Sequence, residues 1–297
     1  MTTGLEKSNK ARLHFDIYAI LEGSQELYLG HEVQVNVNMV EIVKLSTRDG
    51  QSLEKCYISP TKRRGVERRC LIWAPHKSGE LLGDKQKCGI PATCAKTECP
   101  ICSTFGGLIT EKSKARTLIG RVTHGGGVAI QNIDPEEKQR AMHPSRLATP
   151  KDGKEKHTPT PFKRQYNQPG ILYPVSNHAL SITDQDFATV AYAFLDALPR
   201  IGSGNPKGVA IAENQENNQP LLVVDRYLVP RGKRPVISPS VTDPQTAVSD
   251  FVRLSQIPEH AQENHVELNH FERWIGDTAL TKLQDYSSMF VDNILQK

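Results

Sequence analysis

The chain is 297 residues long, 37% hydrophobic and 24% charged, enough to bury one large decorated core, and no apolar run approaches the roughly twenty residues that cross a bilayer. That composition argues against a membrane role. The stretch Met1–Lys10 has lysines but no apolar segment behind them, so it reads as neither a signal nor a transit peptide and a cytoplasmic location is expected.

From Ala11 to Glu22 apolar residues alternate, with Leu13, Phe15, Ile17, Ala19 and Leu21 on one side, the pattern of a half-buried strand. Glu32 to Leu45 is a second extended region, closed by the turn-like Arg48-Asp49-Gly50. Ser59-Pro60-Thr61 starts a helix, with Thr61 as candidate N-cap, that runs to Leu71. His76 to Gly107 shows no hydrophobic period and is an insertion expected to be ordered by something other than a core. Short strands resume at Thr117 to Thr123 and Gly127 to Ile133. The polar, basic stretch Asp134 to Tyr173 reads as a projecting loop or hairpin.

A helix from Asp184 to Leu198 follows, apolar at Phe187, Val190, Ala191, Phe194, Leu195 and Leu198. The glycine-rich Ile201–Gly208 comes next, then strands at Val209 to Ala212 and Leu221 to Leu228. After Pro244 the chain reads as helical, including Thr278 to Leu295. No internal repeat stands out.

Four of the six cysteines, Cys88, Cys94, Cys99 and Cys102, fall inside a fifteen-residue window with the spacing C-x5-C-x4-C-x2-C. The Cys99-Pro100-Ile101-Cys102 knuckle lets two thiolates reach one tetrahedral ion, so a closed, structural zinc site is expected. His76 or His124 could replace one thiolate, and the bland alternative is four reduced cysteines in a loop.

Lys62, Arg63, Arg64, Arg68 and Arg69 place five cations within eight residues against the single carboxylate Glu67. That density near a helix start suits phosphate, although it also fits an ordinary solvated face. A second basic tract, Arg140, His143, Arg146, Lys151, Lys154, Lys156, His157, Lys163 and Arg164, meets Phe162, Tyr166 and Tyr173. Cations beside aromatics suit single-stranded nucleic acid, because bases stack on rings while phosphates meet the charges. Gly202, Gly204 and Lys207 belong to a turn that lets backbone approach a ligand, or is a plain helix C-cap with a turn after it. There is no G-x-S-x-G and no H-E-x-x-H. His260, His265 and His270 recur every five residues, which does not align on one helical face.

Tyr57–Arg69, with its strand, turn and basic helix ending Arg63-Arg64-Gly65-Val66-Glu67-Arg68-Arg69, resembles the RAMP superfamily, as do Cys99–Gly107 (C-x-x-C-x-x-F-G), His143-Pro144-Ser145-Arg146-Leu147 and Ile201–Gly208. The likeness is to the backbone subunits of class 1 CRISPR complexes, of a type IV or type I-D kind, and spans roughly Tyr57 to Ala212. It implies an α+β chain with a ferredoxin-like, RRM-type core and inserted zinc-knuckle and thumb elements. Residues 1–297 would form one decorated domain, with the cysteine-rich insertion at 76–107, the basic thumb-like loop at 134–173 and a helical part at 245–297.

The implied partners are a guide RNA, a target nucleic acid paired to it, further copies of the chain and other complex subunits. The implied RNA-binding residues are Lys62, Arg63, Arg64, Arg68, Arg69, Arg146, Phe162, Lys163, Arg164, Tyr166, Gly202, Gly204 and Lys207. Cutting relatives hold an aspartate between the first strand and the basic helix, whereas here Asp49 sits in a turn. A non-enzymatic holding role is therefore expected. The competing readings are a RAMP-type endoribonuclease using Asp49, His124 or His143, and a zinc-stabilised single-strand binder outside CRISPR.

Overall fold

The computed structural model describes residues 12–30, 32–34, 37–47, 49–110, 115–132, 135–142, 160–230, 233–240, 243–256 and 271–297. In chain order the first elements are β1 (Leu13–Glu22), β2 (Glu32–Gln34), β3 (Val37–Met39), β4 (Ile42–Ser46), β5 (Ser52–Ile58) and the basic helix α1 (Pro60–Ile72). The cysteine-rich segment holds α2 (Leu82–Gln86), α3 (Pro100–Phe105) and the start of a small hairpin, β6 (Gly107–Ile109) with β7 (Arg116–Leu118). Then come β8 (Val122–Gly125), β9 (Gly127–Val128), β10 (Glu136–Met142), β11 (Thr160–Tyr166), β12 (Leu172–Ile182) and α4 (Asp184–Ala197). The chain closes with β13 (Ala210–Ile211), β14 (Leu222–Tyr227), α5 (Pro244–Ser255), β15 (Phe271–Ile275) and α6 (Asp277–Phe290), which widens into one π-turn over Val291–Leu295. No helix among the described residues is long and apolar enough to cross a membrane.

The fold is mixed α+β around an antiparallel sheet in the order β15-β14-β1-β12-β8, with β13 pairing the end of β1. α1 lies between β1 and β8 in the chain, and α4 between β12 and β14. Both helices and α6 pack on the face that carries Phe15, Ile17, Ala19 and Leu21, burying Val66, Cys70, Phe187, Val190, Phe194 and Leu283 with them. Phe15 stacks on Phe187 at 4.0 Å between ring centroids, and Tyr286 meets Phe187 edge-on.

β1 is buried on both faces, not on one as its alternation suggests. Tyr18 and Ile20 point the other way into a second cluster with Val223, Ile237, Ala247 and Phe251, where α5 closes the sheet. A central strand flanked by two partners and covered twice has no solvent face.

Side-chain chemistry sets the helix starts. Ser59, not Thr61, caps α1: its hydroxyl accepts from the Lys62 N–H at 3.4 Å and Pro60 takes the first helical position, where its missing N–H costs nothing. Thr183 and Asp186 form a reciprocal capping box on α4.

Two expectations change, and the basic segment takes the hairpin form of its two expected forms. The final segment contains the strand β15 paired to β14, so it is not all helical. The cysteine-rich insertion has a core of its own, Leu82, Ile101 and Phe105 with the cysteines, packed on Leu71, Ala188, Ala193 and Phe290. The basic segment begins and ends as paired strands: β10 runs antiparallel to β11, and β11 runs parallel to β3. Its central residues, 143–159, lie outside the described residues, as do His260, His265 and His270.

A charged row crosses the sheet on the α5 side, because His178, Asp16, Asp225 and Arg273 are direct partners in register. Asp16 accepts from the Tyr18 hydroxyl at 2.9 Å and the Tyr227 hydroxyl at 3.1 Å, with His178 Nδ1 at 2.9 Å. Burial works to raise its pKa, but these partners hold it below its ordinary value. Asp225 is pushed upward by burial even though Arg273 grips both its oxygens at 2.6 Å. Arg273→Met should therefore cost roughly 3–5 kcal/mol of stability by stranding a buried carboxylate, while Asp225→Leu with Arg273→Met recovers most of it. Denaturant unfolding of both variants checks this, and equal losses would reject the pairing.

Candidate nucleic-acid interface

The basic helix α1 is oriented by its one buried cation. Arg63 is 1% exposed, and its guanidinium donates to Gly125 O at 2.9 Å, Ser176 O at 3.1 Å and Asn177 Oδ1, with Glu67 Oε1 at 3.6 Å. Glu67 accepts from Asn177 Nδ2 at 3.0 Å and lies 2.8 Å from His124 Nε2. Burial pushes the Glu67 carboxyl up, but His124 and Arg63 outweigh it and hold the group below its ordinary value. Arg63 is thus a structural anchor. The expectation that it meets RNA fails because its fork is spent on the sheet.

With Arg63, Val66, Glu67 and Cys70 turned inward, the 3.6-residue period leaves Lys62, Arg64, Arg68 and Arg69 at the helix flanks and surface, all partly exposed. Arg64 donates to Phe105 O at the end of α3 and lies over the Phe105 ring. Burial and the adjacent Arg68 charge both lower its pKa. Arg68 Nε and Nη2 are shielded from solvent and have no hydrogen-bond partner among the described residues. Two guanidiniums held together in this way are relieved by an anion, since oxyanions satisfy their forks and cancel their repulsion.

On the other flank the basic elements converge at Tyr28. Lys62 Nζ donates to Leu29 O and sits 3.4 Å from Glu41 Oε2. The Ser203 N–H of the glycine-rich loop donates to Tyr28 O at 2.9 Å, and Gln25 donates to Lys207 O. Arg164 of β11 stacks over the Tyr28 ring, 4.5 Å from its centroid. A Cβ on Gly204 would come within 2.4 Å of Arg164 Nη1, so the guanidinium would have to shift to admit one. Gly30 is the stricter position, under the segment, where a Cβ would strike the backbone oxygen of Met39. Helix, loop and hairpin thus share one seam, with Gly202 and Gly204 partly exposed and Ser203, Asn205 and Lys207 exposed along it.

Several residues of the two basic tracts and the glycine-rich turn are neighbours in space as their chemistry suggests, but others are not available to a ligand. Tyr166 is 2% exposed and Tyr173 is 0% exposed, so neither offers a ring to a base. Tyr166 meets Tyr28 edge-on, and Tyr173 hydrogen-bonds Asn167 in the core beside Cys56. Lys163 is half-exposed and ion-paired to Glu137 at 2.6 Å. Arg146 lies outside the described residues, and Phe162 lies on β11 opposite Arg140. Tyr28 belongs to none of the motifs. Its only local sign is an aromatic two residues before the glycine in Tyr28-Leu29-Gly30.

Beside α1 the sulfurs of Cys88, Cys94, Cys99 and Cys102 all lie within 4.8 Å of one another, with Cys88–Cys102 at 3.4 Å and Cys94–Cys102 at 3.7 Å. Four thiolates around one tetrahedral zinc stand about 3.8 Å apart, given a Zn–S bond of about 2.3 Å. The donor set therefore fits a metal ion. Hydrogen bonds from Cys102 and Cys99 push Cys88 down toward the thiolate, while Cys102 is pushed up to about 11. Neither histidine joins the cluster: His76 bonds Ser78 and Lys85, and His124 bonds Glu67.

No protein family matches the chain, and no curated protein does. Among solved structures it is similar to the crystal structure of Thermofilum pendens Csc2, 15% identical with a TM-score of 0.41 over 95% of this chain and 81% of that one. It is also similar to a chain of a CRISPR RNA-guided surveillance complex, 12% identical with a TM-score of 0.44 over 88% and 87% of the two chains. These are likenesses of overall arrangement, and the chemistry of the interface rests on this chain's own residues.

Proposed function

We propose that the chain is a RAMP-type subunit that grips the backbone of a guide RNA and repeats along it, with other subunits, in a class 1 CRISPR complex, supporting pairing of the guide to its target. The observation that carries this reading is the seam at Tyr28, where the basic helix, the glycine-rich loop and the β10–β11 hairpin meet. Guanidinium groups and exposed loop backbone on one surface suit phosphates, and nothing in that set reads base edges. Sequence choice would then fall to base pairing.

The strand order β14-β1-β12-β8, with α1 and α4 on one face, supports a ferredoxin-like core in which 76–107 and the part of 134–173 that precedes β12 are insertions. A holding rather than cutting role is supported by two placements. The His124 side chain is 1% exposed and committed to Glu67, and the Asp49 carboxylate is held low by hydrogen bonds within the turn it caps, from Thr47 first.

Cys88, Cys94, Cys99 and Cys102 would hold zinc as a closed structural site. The ion would supply folding energy to the module whose Phe105 carbonyl receives Arg64. Intact protein should then carry about one equivalent of zinc by elemental analysis, and Cys99→Ser with Cys102→Ser should lose it together with solubility. Zinc far below one equivalent in soluble wild-type protein would reject the site.

Pull-down of the tagged chain from its host, followed by sequencing of the bound RNA, tests the function. Uniform short RNAs sharing a repeat-derived end are expected, and mixed RNA or none would reject the guide reading. In vitro, Arg64→Gln with Arg68→Gln should weaken binding of single-stranded RNA, with little change in stability. The slope of log K against log salt should fall by about 0.7 for each phosphate that is no longer neutralised. Arg63→Met should do the reverse, costing several kcal/mol of stability as an order of magnitude. An unchanged salt slope in the double variant would sink the phosphate assignment.

A further inference from the structure

We propose that Trp73 is a base-stacking platform at the end of the basic helix, extending the phosphate-binding surface with a site for an unpaired base. The inference rests on the single-stranded RNA reading above and adds a residue and a mode of contact to it.

Trp73 is the C-cap residue of α1, and its N–H still bonds Arg69 O at 2.9 Å, so the helical screw continues to it. Steps of seven and then four residues bring Lys62, Arg69 and Trp73 onto one stripe. The stripe borders the buried face of Arg63, Val66, Glu67 and Cys70, with Val66 seven and Cys70 three residues before Trp73. Trp73 is 60% exposed although the residues on either side of it, Ile72 and Ala74, are buried. The turn therefore holds an indole outward on a rigid base.

The surroundings select the occupant. The only carboxylate of α1, Glu67, is buried and spent on His124, Asn177 and Arg63. The exposed part of the helix is thus cationic, and the exposed Lys77 follows within one turn of chain. Lys62 is paired with Glu41 and the exposed Glu80 follows three residues after Lys77, so Arg69 and Lys77 are the cations offered beside the indole along the chain. A large π-face next to them suits a polyanion whose bases carry π-faces, since stacking is sequence-tolerant and the phosphates answer the charges. Pro75 and Leu81, bridged to each other, add an apolar shoulder close in sequence, so an apolar protein partner is the outcome the test must separate.

The experiment uses the full chain and a labelled twenty-nucleotide oligo(U) read by fluorescence anisotropy. Trp73→Ala should weaken binding about tenfold, leave the salt slope and thermal melt as in wild type, and be rescued to within about threefold by Trp73→Phe. Arg69→Gln should instead lower the salt slope. In Trp274→Phe, where Trp73 is the remaining indole of the two in the chain, saturating oligo(U) should quench the emission. Wild-type affinity in Trp73→Ala, or no quench at saturation, overturns the platform while leaving the phosphate reading intact. Unchanged RNA affinity with altered self-association overturns it in favour of a protein-docking face. Failure of wild type itself to bind oligo(U) removes the RNA reading, and the platform falls with it.

Discussion

Everything the basic helix presents depends on one buried guanidinium. Desolvating Arg63 costs several kcal/mol, and the cost is offset only because two backbone carbonyls, an amide oxygen and a carboxylate meet it in the interior. The carbonyls belong to β8 and β12, so the contact ties the helix to two strands of the main sheet. A helix pinned at that point can turn only one way, which puts Arg64 and Arg68 toward the cysteine module and Lys62 and Arg69 toward the opposite flank.

The two flanks are braced by different chemistry. On one, Arg64 reaches the carbonyl at the end of α3, a helix of six residues that would not persist alone. Its support comes from the four thiols and from packing on α4 and α6. On the other, Tyr28 and Leu29 act through their backbone carbonyls, taking a bond from the glycine-rich loop and one from Lys62, while the Tyr28 ring carries Arg164. The cations that face solvent are thereby preorganised, which reduces the ordering entropy that binding an extended polyanion would otherwise cost.

The elements legible in the sequence are those whose signal accumulates over several turns or pleats. β1 alternates for ten residues, and α4 and the last helix repeat an apolar face for fourteen each. The insertion reads as coreless because α2 and α3 span five and six residues, too few for a period to show. β15 escapes sequence reasoning for a different reason: its sequence, Phe271 to Ile275, puts Arg273 where an apolar residue is expected, and Asp225 on the neighbouring strand, with the carbonyls of Lys233, Leu254 and Ser255, makes that burial tolerable.

Over most of the main sheet and its helices, strand, helix and turn can be read along the chain, as can the crowding of four sulfur ligands into one segment and the concentration of cations in two tracts. These are properties of neighbours along the chain, and local periodicity and composition record them. Which of several chemically equivalent residues faces outward is set by folding. Arg63 and Arg64 are adjacent cations, and Tyr28 and Tyr166 are both tyrosines near basic residues, yet one arginine is sunk in the sheet and the seam forms around the tyrosine that no motif contained. Burial is fixed by contacts between residues more than a hundred positions apart, such as Arg63 with Asn177 and Arg164 with Tyr28, and no local window of sequence holds both partners.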